Sequence, residues 1–133
     1  ASRSENVEKI ILKYQKKKII LIDRFIDSTI AYQHYGMGIN KNLINKLNSF
    51  LLKSIKPDYT FLYKVSKKNL IKRLKKRKIK NRYDKFSFAF YKKVQNGFLK
   101  TIKNNKKSMV IDSNISQIEN KKIIINKLVK ILK

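Results

Sequence analysis

The chain has 133 residues, with 34 Lys and Arg against 8 Asp and Glu, a formal net charge of +26 and 42% hydrophobic residues. That length suits one packed domain rather than two independent cores. Cys is absent and His34 is the only His, which excludes disulfides, thiolate chemistry and Cys- or His-cluster metal sites. No apolar run reaches the roughly 18 residues of a membrane span, so the cytoplasm is the expected location.

Residues 5–17 place Val7, Ile10, Ile11 and Tyr14 at the spacing of an amphipathic helix, ended by Lys16, Lys17 and Lys18. The run Ile19, Ile20, Leu21 and Ile22 is continuously apolar, the pattern of a strand buried on both faces of a parallel sheet, and it stops at Asp23 and Arg24. A helix is expected over 28–35, then a hinge at Gly36 and Gly38. Over 41–54, Leu43, Ile44, Leu47, Phe50 and Leu51 read as a core-facing stripe. Pro57 and Asp58 turn the chain into a strand over 59–65, and Ser66 is placed to cap a helix over 67–77 with Leu70, Ile71 and Leu74 inward.

Residues 78–85 lack a core stripe and read as a mobile basic segment. Helical spacing resumes at Phe88 or Tyr91 and runs through Ile102, carrying Val94 and Phe98. Met109, Val110 and Ile111 form a third strand ending at Asp112, and a last helix over 117–132 carries Ile124, Leu128, Ile131 and Leu132. The alternation predicts a single α/β domain over 1–133, with a three-stranded parallel sheet sandwiched by helices. The chain begins without Met inside what reads as a helical turn, so a preceding segment is expected.

The charge rests on 29 Lys and only 5 Arg, and with 20 Ile and 13 Asn it follows the bias of an adenine- and thymine-rich coding sequence. The basic field is therefore read as a solvated surface around a local anion site, not as a specific nucleic-acid reader. Ligands of open α/β sheets bind beyond the carboxyl ends of the strands, which singles out Asp23 and Arg24 with Asp27 and Ser28 behind them. A guanidinium fork matches a phosphate or carboxylate, while Asp27 or Ser28 would equally serve as a helix N-cap. Tyr32 and Gln33 offer an aromatic face and an amide that suit a base, although such a tyrosine is more often interfacial core.

Arg3 precedes the first helical stripe, and Arg73, Arg77 and Arg82 flank or enter the basic segment. A flexible cationic strip suits phosphoryl transfer, which depends on positioning and charge stabilisation; an exposed basic helix tip is the plainer alternative. The only glycines are Gly36, Gly38 and Gly97, and G-x-x-x-x-G-K-[ST] does not occur, so a backbone cradle for nucleotide phosphates is absent from these residues. No paired carboxylates suit glycoside hydrolysis.

Together these pieces resemble a family. Asp23, Arg24, Phe25, Ile26, Asp27 and Ser28, followed by Ala31, Tyr32, Gln33, Gly36 and Gly38, resemble the D-R-[FY]-x-x-S-x-x-A-Y-Q-x-x-G-x-G signature of bacterial thymidylate kinases. Lys56, Pro57, Asp58, Tyr59 and Thr60 resemble that family's [KR]-P-D-[LY]-T segment. Arg73, Arg77 and Arg82 are similar to its lid, Val110 to Ser113 to the strand and loop beside adenine, and Arg3 falls on its monophosphate-contacting arginine. Asn81 stands where the family usually has Asp, and Asp84 where it has Glu.

The resemblance implies the C-terminal part of a P-loop NTPase-like nucleoside monophosphate kinase lacking its N-terminal strands and phosphate loop, with a lid over 78–85. It implies transfer of phosphate from ATP to dTMP, with Mg2+, in an intact protein that is a homodimer, and no activity from these residues alone. Arg3 and Arg24 would hold the substrate phosphate, with Ser28 beside them, and Tyr32 and Gln33 would lie against thymine. Asp23 and Asp27 would orient the arginine and nearby water or magnesium, Asp23 reaching the metal through water. Arg73, Arg77 and Arg82 would clamp the transition state, with Asp112 and Ser113 near adenine. Another P-loop nucleoside or nucleoside monophosphate kinase, a basic nucleic-acid-binding module and an inactive remnant are the alternative readings.

Overall fold

Residues 2–52, 55–78 and 86–133 are described by the computed structural model, the side chains of Ser2 and Arg3 excepted. They gather into two compact units, one of Ala1–Asp58 with Lys92–Asn104 and one of Tyr59–Tyr91 with Asn105–Lys133.

In the first unit the chain opens as α1 (Ser2–Asn6), widens into a π-helical turn, π1 (Val7–Ile11), and ends as α2 (Leu12–Tyr14). The apolar stripe of this stretch faces inward at Val7 and Ile11, which form a core with Leu52. Ile20, Phe25, Ile26, Leu51 and Ile55 pack on that core. Next come α3 (Ile26–Thr29) and a second π-helical stretch, π2 (Ile30–Gly36), which bury Ser28, Ile30 and Ala31. Gly38 takes φ +79°, a left-handed conformation that glycine adopts without a Cβ penalty, whereas Gly36 ends π2 without a positive φ, so of the two expected hinge glycines only Gly38 uses its freedom.

The helix α4 (Lys41–Leu52) is started by Asn40, whose Oδ1 accepts from the Asn42 and Leu43 backbone N–H groups at 2.8 and 3.3 Å. It packs against α1 and π2. Its buried face is Ile44, Asn48 and Leu52, whereas Leu43, Leu47 and Phe50 point to solvent, Phe50 at 82% exposure. The expected stripe therefore holds only at Ile44 and, half-buried, Leu51. Apolar residues cover so wide an arc of this helix that packing, not periodicity, selects the inward face.

The expected strand over 19–22 is not one. Ile20 packs on the core, but Ile19, Leu21 and Ile22 are exposed and the run joins no ladder among the described residues. A strand exists through its hydrogen-bonded neighbour, and apolar composition alone supplies none.

The second unit holds a two-stranded parallel sheet of β1 (Thr60–Lys64) and β2 (Ser108–Asp112), paired in register from Thr60 opposite Ser108 to Lys64 opposite Asp112. The ladder extends at both ends: Thr60 N–H donates to the Lys107 carbonyl at 3.0 Å and Ser113 N–H to the Lys64 carbonyl at 2.8 Å. Between the strands run α5 (Lys67–Lys76) and α6 (Phe88–Ile102), and α7 (Gln117–Leu132) follows β2. Ser66 caps α5 as expected, its Oγ accepting from Asn69 N–H at 3.3 Å. A reciprocal Ser116–Glu119 capping box starts α7.

Ile111 is buried in this unit, and the rings of Phe86 and Phe90 stack 4.1 Å apart. Along α7, Ile124 and Leu128 are half-buried, but Ile131 and Leu132 are exposed, so its core stripe stops a turn earlier than expected. Beyond its first turn α6 belongs to the first unit, where it buries Val94, Gly97 and Ile102.

Candidate functional site

In the first unit the site grows from the end of the 19–22 run. Arg24 has φ +67°, the one positive φ outside glycine among the described residues. The left-handed conformation costs an L-residue about 1–2 kcal/mol, and such positions gather at functional sites. This bend brings the side chain back over the following helix. Its Nε donates to Ser28 Oγ at 3.5 Å, and the guanidinium carbon lies 4.6 Å from the centroid of the Tyr32 ring.

Ser28 and Tyr32 are four and eight residues beyond Arg24, one turn apart, and so share a face where α3 passes into π2. Ser28 is buried, and the Tyr32 ring meets Phe98 edge-on, with centroids 6.2 Å apart and planes at 83°. Asp27 is half-buried, and desolvation pushes its carboxyl above the usual aspartate range. Asp23 is exposed beside the bend. Gln33 is half-buried, its carbonyl accepting from Ile39 N–H at 2.9 Å, while His34 Nδ1–H donates to the Ile39 carbonyl at 2.9 Å and pins the turn after π2.

In the second unit a polar cluster forms beyond the carboxyl ends of β1 and β2. Arg73, in the last turn of α5 and therefore outside 78–85, grips Ser113 with both arms: Nη1–H donates to Oγ at 2.7 Å and Nη2–H to the carbonyl at 2.5 Å. Asp112 Oδ1 accepts from the backbone N–H and the Nδ2 of Asn114 at 2.8 and 2.6 Å. Asn114 Oδ1 in turn accepts from Ser66 N–H and Asn69 Nδ2, each at 3.0 Å. Asn120 Nδ2 donates to the Asp112 carbonyl at 3.0 Å. Arg77 is exposed at the end of α5, its N–H donating to the Leu74 carbonyl at 3.3 Å.

The expected residues thus fall into two sets. The first unit joins Arg24, Ser28 and Tyr32, with Asp23, Asp27 and Gln33 on the same stretch; the second joins Arg73, Asp112 and Ser113. The side chain of Arg3, and Asn81, Arg82 and Asp84 with nearly all of 78–85, lie outside the described residues. Sequence reasoning missed Asn114 and Asn69, although Asn two residues after a strand-ending Asp signals an Asx turn. It read Phe98 only as helix core. Among the described residues no three His, Asp or Glu side chains converge on a metal position, and no described helix is long and apolar enough to cross a membrane.

Two parallel strands joined through helices, with a polar cluster beyond their carboxyl ends, and the likeness to a solved kinase structure given below place the chain in the P-loop NTPase-like α/β class. The family model described as thymidylate kinase matches residues 1–124, and the chain belongs to that family. It is 41% identical to the thymidylate kinase of Mycoplasma capricolum over 96% of this chain and 64% of that protein. It is 39% identical to that of Ehrlichia canis over 99% of this chain and 65% of that protein. The crystal structure of thymidylate kinase from Ehrlichia chaffeensis superposes with a TM-score of 0.66 at 32% identity, over 97% of this chain and 60% of that one. The chain spans less than two thirds of the length of each of these relatives.

Proposed function

We propose that the gene product carrying these residues transfers the γ-phosphoryl group of ATP to dTMP, giving dTDP and ADP in the cytoplasm, and that it works as a homodimer. The observation that carries this reading is the bend at Arg24, which holds a guanidinium between a buried serine and an aromatic ring inside the stretch that matches the family. Phosphoryl transfer asks the protein for position and charge neutralisation rather than covalent chemistry. Arg24, with Arg3, takes the substrate phosphate, and Tyr32 and Gln33 lie on the base side. Ser28 meets the arginine from the helix, and Asp27 is read as orienting the arginine and nearby water or magnesium.

Arg73, Arg77 and Arg82 close over the triphosphate with residues 78–85 as a lid, and Asp112 and Ser113 stand near adenine. The whole of 1–133 serves one α/β domain in this reading. Magnesium bound with nucleotides commonly takes one or two carboxylates, the rest of its sphere being water and phosphate oxygen. Exposed Asp23 fits that role through water, and the ion would supply charge neutralisation between phosphates.

The test is dTMP-dependent ADP formation by the gene product, with dTMP affinity compared in Arg24→Ala and Lys130→Ala at fixed salt. Charge-assisted hydrogen bonds are worth about 1.5–3 kcal/mol against about 0–1 for an exposed charge, so Arg24→Ala should weaken binding roughly tenfold or more and Lys130→Ala hardly at all. Equal losses would remove Arg24 from the site.

A further inference from the structure

We infer that Tyr32 is a positioning residue for Arg24, its ring serving the guanidinium that meets the substrate phosphate more than the base itself. This rests on the thymidylate reading above and deepens it. The guanidinium carbon sits 4.6 Å from the centroid of the Tyr32 ring, inside the roughly 6 Å within which the ring quadrupole attracts a cation. The ring cannot swing away freely, because Phe98 meets it edge-on. The arginine is likewise constrained, by its left-handed backbone and by Oγ of the buried Ser28.

Arg24 has three rotatable carbons between this strained backbone and its charge, and the 3.5 Å bond to Ser28 is too long to fix it alone. The Tyr32 face completes the restraint. A guanidinium carries five N–H donors, so a cation held over a ring face still has N–H groups to present to a phosphate. An arginine held ready gives up less conformational freedom on binding, and the gain appears only for ligands that carry the phosphate.

The experiment compares dTMP with thymidine, which lacks the phosphate, as calorimetric ligands of the gene product carrying this chain. Tyr32→Leu is expected to weaken dTMP about three- to tenfold, the range of an exposed to partly desolvated cation–π contact. Thymidine should change less than twofold, and Tyr32→Phe, which keeps the ring, should restore most of the dTMP loss. In an Arg24→Gln background Tyr32→Leu should have little further effect, since the pair acts as a unit. Equal losses for dTMP and thymidine would overturn the inference by showing that Tyr32 acts on the base, and so would no loss for either.

An unmodified protein that ignores dTMP would overturn the thymidylate reading as well, which separates the two failures. A measurement on the unmodified protein stands apart from how any variant folds. Side-chain protons of Arg24 over an aromatic face should resonate upfield of their usual positions; ordinary shifts, with and without dTMP, would overturn the inference.

Discussion

At the scale of single residues, the bend at Arg24 ties backbone strain to binding. Glycine removes the Cβ that makes φ +67° unfavourable, whereas alanine removes the guanidinium and keeps the strain. Arg24→Gly should therefore be more stable than Arg24→Ala by about 1 kcal/mol, with both equally poor at binding dTMP. Denaturant melts of the two variants check this, and identical midpoints would mean that the bend is not left-handed in solution. The Asp-Arg pair was legible in the sequence because its chemistry sits at a strand-like terminus. The conformation of Arg24 was not, since a non-glycine left-handed residue is imposed by surroundings and leaves no compositional mark.

Asp27 provides a second test at this scale. Its carboxyl is raised by burial, so in the pH window between the ordinary aspartate range and that raised value the folded chain binds more protons than the unfolded one. Stability then falls as pH rises through the window, and the penalty of the buried charge is complete above it. Asp27→Asn, neutral throughout, should raise the melting temperature near neutral pH and lose that advantage at about pH 4 and below. Melts of both proteins across that range decide it; an advantage that grows toward acid would reverse the sign and the cause.

At the scale of elements, π2 and α6 come close together at Gly97 in the first unit. A Cβ at Gly97 would stand 2.6 Å from Tyr35 Cδ2 and 2.7 Å from its Cβ, inside any normal contact. Rotating the ring cannot relieve the second clash. Gly97→Ala should force the helices apart at the usual cost of overpacking, about 1–3 kcal/mol, despite alanine's better helix propensity. A melting temperature equal to or above that of the parent would show that π2 and α6 do not meet so closely. The sequence showed this helix through Val94, Phe98 and Ile102 and gave no role to Gly97; the close approach of Tyr35 gives the glycine one.

Elements that carry their own signals were legible. The last helix starts at Gln117, the expected residue, and Pro57 and Asp58 precede β1. The failures are elements decided elsewhere. The 19–22 run had the composition of a buried strand and no partner to make it one, and α4 had apolar residues enough for two inward faces. The capping box also predicts a pH response. Hydrogen bonds from the Ser116 side chain and backbone hold the Glu119 carboxyl below its ordinary range, so its contribution is present above that range and is lost as pH falls through the lowered value.

At the scale of the whole molecule, residues 1–133 taken as a separate polypeptide bring together little of what a stable domain requires. The sheet among the described residues is a single parallel pair, and strand pairs of that size are marginal unless other layers cover them. Ile19, Leu21 and Phe50 stand 65, 84 and 82% exposed, and burying each such side chain would contribute about 1.5–3 kcal/mol. Those forgone contributions compare with a total margin of about 5–15 kcal/mol for ordinary domains. The polypeptide is expected to be aggregated or molten at neutral pH and, lacking a G-x-x-x-x-G-K-[ST] cradle for the β and γ phosphates, to show no dTMP-dependent turnover of ATP. The gene product carrying it should melt cooperatively under the same conditions. Thermal scans and amide spectra of both proteins test the contrast. A cooperative transition with dispersed amide resonances from 1–133 alone would show that the exposed apolar residues find partners within these 133 residues, and turnover above a blank would show that some other group replaces the cradle.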